Sequence, residues 1–72
     1  REVDFVVTDK RKPVLFVECK WGDDDLDPSL AYLVKRFPGV AAWQIHATGT
    51  RDYVKPGGIR VAPAVELLKT LV

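Results

Sequence analysis

Val14-Leu15-Phe16-Val17-Glu18-Cys19-Lys20 limits this chain more than any other stretch. An apolar run ends in a carboxylate and an amine two residues apart. Side chains on a strand alternate faces, so Glu18 and Lys20 share a face with Val14 and Phe16, and Leu15, Val17 and Cys19 share the other. A charged pair at the end of a buried strand is costly unless something compensates it or the strand end is wet.

Upstream, Glu2-Val3-Asp4-Phe5-Val6-Val7-Thr8 has the β-branched and aromatic content of a second strand. Asp9-Lys10-Arg11-Lys12-Pro13 between them reads as a turn. An antiparallel hairpin with Thr8 opposite Val14 sets Asp4 opposite Glu18 and Glu2 opposite Lys20. All lie on one face because all are even-numbered, and a one-residue slip would separate them. Two carboxylates then face each other across roughly 4.5–5.5 Å between Cβ atoms. A divalent cation between them would offset the repulsion, since hard ions such as Mg²⁺ take carboxylate oxygens and keep several waters. Water acidified on such an ion, with an ammonium nearby, can attack a phosphodiester. The alternative is an exposed strand end with a cross-strand Glu2–Lys20 ion pair, which contributes little.

Asp4, followed by Glu18-Cys19-Lys20 at the end of the next apolar strand, resembles the PD-(D/E)xK nuclease signature. Arg1-Glu2-Val3-Asp4-Phe5-Val6-Val7 with Phe16-Val17-Glu18-Cys19-Lys20 resembles, in particular, the C-terminal domain of a large prokaryotic family of predicted AAA-type ATPases, a domain of unknown function related to archaeal Holliday-junction resolvases. The resemblance runs from Arg1 to Leu71. It implies a restriction-endonuclease-like fold, with Asp4 and Glu18 as ligands of Mg²⁺ or Mn²⁺ and the Cys19 backbone carbonyl as a further ligand. It also implies that Lys20 assists the attacking water or the developing charge. Val3 stands where the nominal motif has proline. The family's first helix and first strand would precede Arg1, so the chain reads as a truncated piece of a longer ATPase.

Seventy-two residues make one small domain with a marginal core. Apolar residues are 47% and charged residues 29%, which reads as globular rather than disordered. The net charge of +1 neither favours nor excludes nucleic acid, because a local basic patch operates in a neutral domain. A single cysteine forbids an internal disulfide and fits a reducing cytoplasm. No apolar run is long enough to span a membrane.

Along the chain, the basic tip Lys10-Arg11-Lys12 is a candidate phosphate contact, with a solvated turn as the alternative. Trp21-Gly22-Asp23-Asp24-Asp25-Leu26-Asp27 reads as a loop. Its carboxylates are either outer-shell metal ligands or simply solvated, and Trp21 is expected to cover the core, with a lid over the cleft as the alternative. Asp27-Pro28 opens a helix as N-cap and first residue. Leu30, Leu33, Val34 and Phe37 give it one apolar face, and Pro38-Gly39 ends it. Residues 40–47 form an apolar strand parallel to residues 14–20, because strand, helix, strand makes a crossover. Gln44 and His46 share a face there. Gln44 is a candidate to orient water or contact nucleic acid, and His46 reads as a surface or satisfied histidine. Residues 52–54 and 59–61 flank Lys55-Pro56-Gly57-Gly58 as a second hairpin. Pro63 opens a last helix with Ala64, Leu67, Leu68 and Leu71 on one face.

These readings predict an α/β domain: an antiparallel hairpin, a crossover helix, a parallel strand, a small hairpin and a C-terminal helix. The leading functional expectation is metal-dependent hydrolysis of DNA phosphodiesters by a domain attached to an ATPase. The alternatives are a non-catalytic DNA-binding or docking module of that ATPase and a homodimerisation domain.

Overall fold

The nine residues Lys12–Lys20 form the longest strand, and the sheet is laid out on either side of it. The computed structural model describes residues 3–72. The elements run β1 (Phe5–Asp9), β2 (Lys12–Lys20), α1 (Pro28–Arg36), β3 (Ala41–His46), β4 (Tyr53–Val54), β5 (Arg60–Pro63) and α2 (Ala64–Thr70). Five strands make one mixed sheet in the order β1-β2-β3-β5-β4. The three central strands are mutually parallel, and β1 and β4 close the two edges antiparallel to their neighbours. The fold is therefore α/β with the expected hairpin, crossover, parallel strand, second hairpin and terminal helix. The placing of β5 beside β3 could not be read from local pattern.

The first hairpin pairs Phe5 with Val17, Val6 with Phe16 and Val7 with Leu15. This is the register expected from the even-numbered face. Nearer the turn the register shifts, and Thr8 faces Pro13 rather than Val14. Pro13 has no N–H to give a ladder, and proline within sheets sits at such irregularities. The shift shortens the connection to the two residues Lys10 and Arg11, which carry φ of 51° and 68°. Two-residue hairpin loops favour this left-handed geometry because it follows the strand twist. For residues with a Cβ it costs about 1 kcal/mol or more each. The expected Glu2–Lys20 pairing lies outside the described residues.

Asp27 caps α1 by accepting the Ser29 N–H at 2.8 Å, and Pro28 occupies the first turn where its missing N–H is not needed. Leu30 is fully buried with Phe16, Ala42 and Ile59, and Leu33 and Val34 pack against that cluster. The Phe37 ring lies 5.8 Å from that of Phe16, tilted by 57°. Removing the Leu30 side chain to Cβ would cost roughly 2–5 kcal/mol, as for other filled core sites.

Phe16 and Ala42 put α1 on the even-numbered face of β2 and β3. The other face carries Trp43, with the Arg60 guanidinium 4.6 Å from the centre of its ring. Arg60 also pairs with Asp52 at 2.9 Å and lies 3.6 Å from Glu66 of α2, so α2 sits on this second face. Only Leu67 of α2 is buried. Leu68 and Leu71, expected on its packed face, are exposed. The helix is seven residues long and meets only β3 and β5 among the strands, too narrow a platform to cover a full apolar stripe. Trp21, expected to cover the core, is 78% exposed because the chain leaves the sheet directly after Lys20. No helix among the described residues is long and apolar enough to cross a membrane.

Candidate active site at the ends of the parallel strands

Along β2 and β3 the even-numbered face changes character. Phe16 lies beside Ala42, then Glu18 beside Gln44, then Lys20 beside His46. The first pair is core under α1, and the next two form a polar rim where both strands end. In open α/β sheets this C-terminal edge is where ligands bind.

Asp4 reaches this rim from just before β1. Its N–H donates to Glu18 Oε1 at 3.2 Å, and its Oδ2 accepts the Cys19 N–H at 2.8 Å. The predicted meeting of Asp4 and Glu18 is thus present, in a form that the strand pattern did not show. The chain leaves the ladder at Asp4, and the Asp4 carboxylate takes the place of the missing strand carbonyl opposite Cys19. Each carboxylate is held by a backbone donor, so the two like charges are compensated in part by the peptide groups themselves.

Lys20 stands beside them. Its Nζ is 3.5 Å from Glu18 Oε2 and 2.7 Å from Asp27 Oδ2. The hydrogen bond to Asp27 is the main reason its pKa is raised. That bond, followed by the Ser29 N–H, holds the Asp27 carboxyl below its ordinary range. The Cys19 thiol is pushed up; burial accounts for the largest part of that shift, and the negative charges of Asp4 and Glu18 at this end of β2 add to it.

Two carboxylates and a carbonyl fit Mg²⁺ or Mn²⁺ as a partial ligand set. Among the described residues, no backbone N–H reaches Asp4 Oδ1 or Glu18 Oε2. In an antiparallel pair a residue's N–H and carbonyl point to the same side, so the N–H bond to Asp4 sets the Cys19 carbonyl on that side too. Hard ions of this kind complete their shell with water and substrate oxygens. Among the described residues, no group of three or more His, Cys, Asp or Glu side chains gathers to hold a metal by itself.

The other candidates lie elsewhere. Lys10, Arg11 and Lys12 sit at the opposite end of the hairpin, exposed, with no ion pair among the described residues. Gln44, expected to meet water or nucleic acid, is 1% exposed and faces inward. Its Oε1 accepts the Asp27 N–H at 2.8 Å, and its Nε2 donates to the carbonyls of Asp25 at 3.0 Å and Asp24 at 3.4 Å. Gln44 is therefore a tether for the loop that brings Asp27 to Lys20. His46, read as surface or satisfied, is buried and half satisfied. Its Nε2 donates to the Arg51 carbonyl at 2.8 Å, and Nδ1 has no partner among the described residues.

Two residues were not anticipated in their roles. Asp27 carried a helix-cap signal but no sign of its bond to Lys20. Asp23 accepts the N–H groups of Thr50 and Arg51, each at 3.0 Å, and ties the two rim loops together. Its carboxyl is held down by those donors. The only hint was an acidic loop followed much later by Gly49. A Cβ there would collide with the Asp23 carboxylate and stand 2.6 Å from His46 Nδ1.

The chain matches no known family model, no curated protein and no solved structure, so the reading of this rim rests on its geometry and on the sequence resemblance.

Proposed function

We propose that this chain is a PD-(D/E)xK nuclease-like domain that hydrolyses DNA phosphodiester bonds with Mg²⁺ or Mn²⁺, in a restriction-endonuclease-like fold attached to an AAA-type ATPase. One observation carries the reading: Asp4, Glu18 and Lys20 meet at the strand-end rim, with Asp4 held against the Cys19 N–H. A bound divalent ion would supply an acidified water and charge neutralisation for an attacked phosphate. The chain's own groups divide the remaining work. Asp4 and Glu18, with the Cys19 carbonyl, present oxygens on one side. Lys20 presents an ammonium that can move from Asp27 toward a phosphate and stabilise negative charge as it develops. Asp27 parks that ammonium in the absence of substrate, and Gln44 keeps Asp27 in reach.

A second reading has its own support. Phe5, Val6 and Val7 of the edge strand β1 are 59%, 49% and 47% exposed, and such an edge is a template for pairing with another chain. On that reading the domain is a docking or dimerisation module, and the rim lock is structural.

The two separate in a Mn²⁺ titration followed by paramagnetic broadening of amide signals. The nuclease reading expects broadening centred on Asp4, Glu18 and Cys19 that Glu18→Ala abolishes, and metal-dependent cleavage of linear or branched DNA by the parent protein. Broadening confined to Asp23, Asp24 and Asp25, with none at Glu18, would overturn it.

A further inference from the structure

The tip of the first hairpin carries an unusual choice of residues. Lys10 and Arg11 are the only non-glycine residues with positive φ among the described residues. Where the chain needs this geometry elsewhere it uses glycine: Gly39 after α1, and Gly57 and Gly58 in the β4–β5 turn. The geometry of a two-residue hairpin loop is best met by Asn-Gly. Here two cations hold it at a conformational cost, with Lys12 next to them as a third. All three are exposed, and none is neutralised by an ion pair among the described residues; Lys35, Arg36, Arg51 and Lys55 share that state, but among the described residues only this tip sets three such cations in a row. Backbone strain kept at an exposed turn points to a use for the side chains that it displays.

Position supplies the use. The tip and Asp4 lie at opposite ends of one hairpin arm. The five extended residues Phe5–Asp9 separate Lys10 from Asp4, so the two are six residue steps apart, at most roughly 20 Å at about 3.3 Å per step. Duplex DNA advances about 3.4 Å per base pair along its axis, so the same span covers about six base pairs. We infer that Lys10 and Arg11 are phosphate contacts that hold double-stranded DNA along the β1–β2 hairpin, gripping the backbone about six base pairs from the position at Asp4 and Glu18. This rests on the reading of DNA as the substrate and adds its class, a duplex flank rather than an isolated single strand. The compact charge of Lys10 and the planar fork of Arg11 suit phosphate oxygens without reading sequence.

The turn offers a test in which stability and binding move in opposite directions. Lys10→Asn with Arg11→Gly supplies the residues that the backbone prefers and removes both charges. A control, Lys55→Gln with Lys69→Gln, removes the same charge from the far-edge turn and from α2. Binding of a 20-base-pair duplex and of the matching single strand would be measured by anisotropy in EDTA across a salt series, so that no cleavage intervenes. The expected result has three parts. The tip variant melts at or above the temperature of the wild type. Its slope of log K against log salt on duplex is shallower by about 1.8, at about 0.9 per lost phosphate contact. The control keeps the wild-type slope. Wild-type binding to duplex with an unchanged slope in the tip variant would overturn the tip assignment and leave DNA as substrate. Equal binding and equal loss on the single strand would overturn the duplex assignment. No wild-type binding to either would overturn both this inference and the DNA reading beneath it.

Discussion

Lys20 Nζ is nearer to Asp27 Oδ2, at 2.7 Å, than to Glu18 Oε2, at 3.5 Å. Lys20 is thus held mainly by a helix cap. Both Lys20 and Asp27 are part-buried, so this ion pair is better shielded than a surface pair. Asp27→Ala removes cap and pair together and should lower stability by about 1–2 kcal/mol, most of it from the cap. Asp27→Asn keeps a capping oxygen and should cost less than about 1 kcal/mol. Urea unfolding orders the two variants, and equal losses would show that the pair, not the cap, dominates.

The same contact sets a pH dependence. The Asp27 carboxyl is lowered on folding, so its contribution is present above the unfolded value of about 3.9 and is lost as pH falls through the lower folded value. Asp23, lowered by the Thr50 and Arg51 donors, acts in the same direction. Lys20 is raised, so its contribution is complete below about 10.4 and is lost as pH rises through the higher folded value. Melting temperature should therefore fall at both extremes and stay level between them. In Asp27→Asn both limbs should be shallower, which a series of thermal melts across pH would measure.

Gln44→Met preserves approximate volume and removes both functions of the amide. The Asp27 N–H and the Asp24 and Asp25 carbonyls lose their partner. At about 1–3 kcal/mol for each buried group left unpaired, and with water able to reach some of them, the loss should be roughly 2–4 kcal/mol. The denaturation midpoint gives the size. Amide shifts confined to residues 24–29 would show that the damage is local to the loop and the start of α1.

Cys19 offers a reporter of metal that does not depend on activity. Its thiol is pushed up in part by the charges of Asp4 and Glu18. A cation held by those carboxylates would cancel that part. The pH midpoint for alkylation by iodoacetamide should then fall when millimolar Mg²⁺ is added. Glu18→Gln should lower the midpoint without metal and abolish the response. An unchanged midpoint in wild type would mean that the carboxylates do not hold the ion.

The residues that could be placed from sequence share one property: their position follows from a local period. The strand period put Asp4 and Glu18 on one face, the assumed hairpin register, which holds from Phe5 to Val7 though not at Thr8, set them opposite, and a proline after an aspartate located α1. What stayed hidden depends on chain returning from afar. Gln44 reads as a cleft residue if the face it shares with His46 is the cleft face. No local pattern showed that residues 24–27 fold over that face and consume its amide. Pro13 changed the pairing of Thr8 for a reason visible in sequence, the missing N–H, but the size of the shift depended on how tight the turn would be. Leu68 and Leu71 kept helical spacing, yet α2 has too little sheet beneath it to bury them.

The Asp23 clamp has a consequence for the timescale on which this rim breathes. Thr50 and Arg51 lie on an exposed loop, where amide hydrogens ordinarily exchange with solvent in moments. Their N–H groups are instead fastened to a carboxylate on a second loop, which Gln44 fastens in turn to the central strand. Releasing them means parting two loops together. These two amides should therefore exchange slowly for their exposure and lose protection jointly in Asp23→Ala, marking the polar edge of the sheet as one cooperative unit.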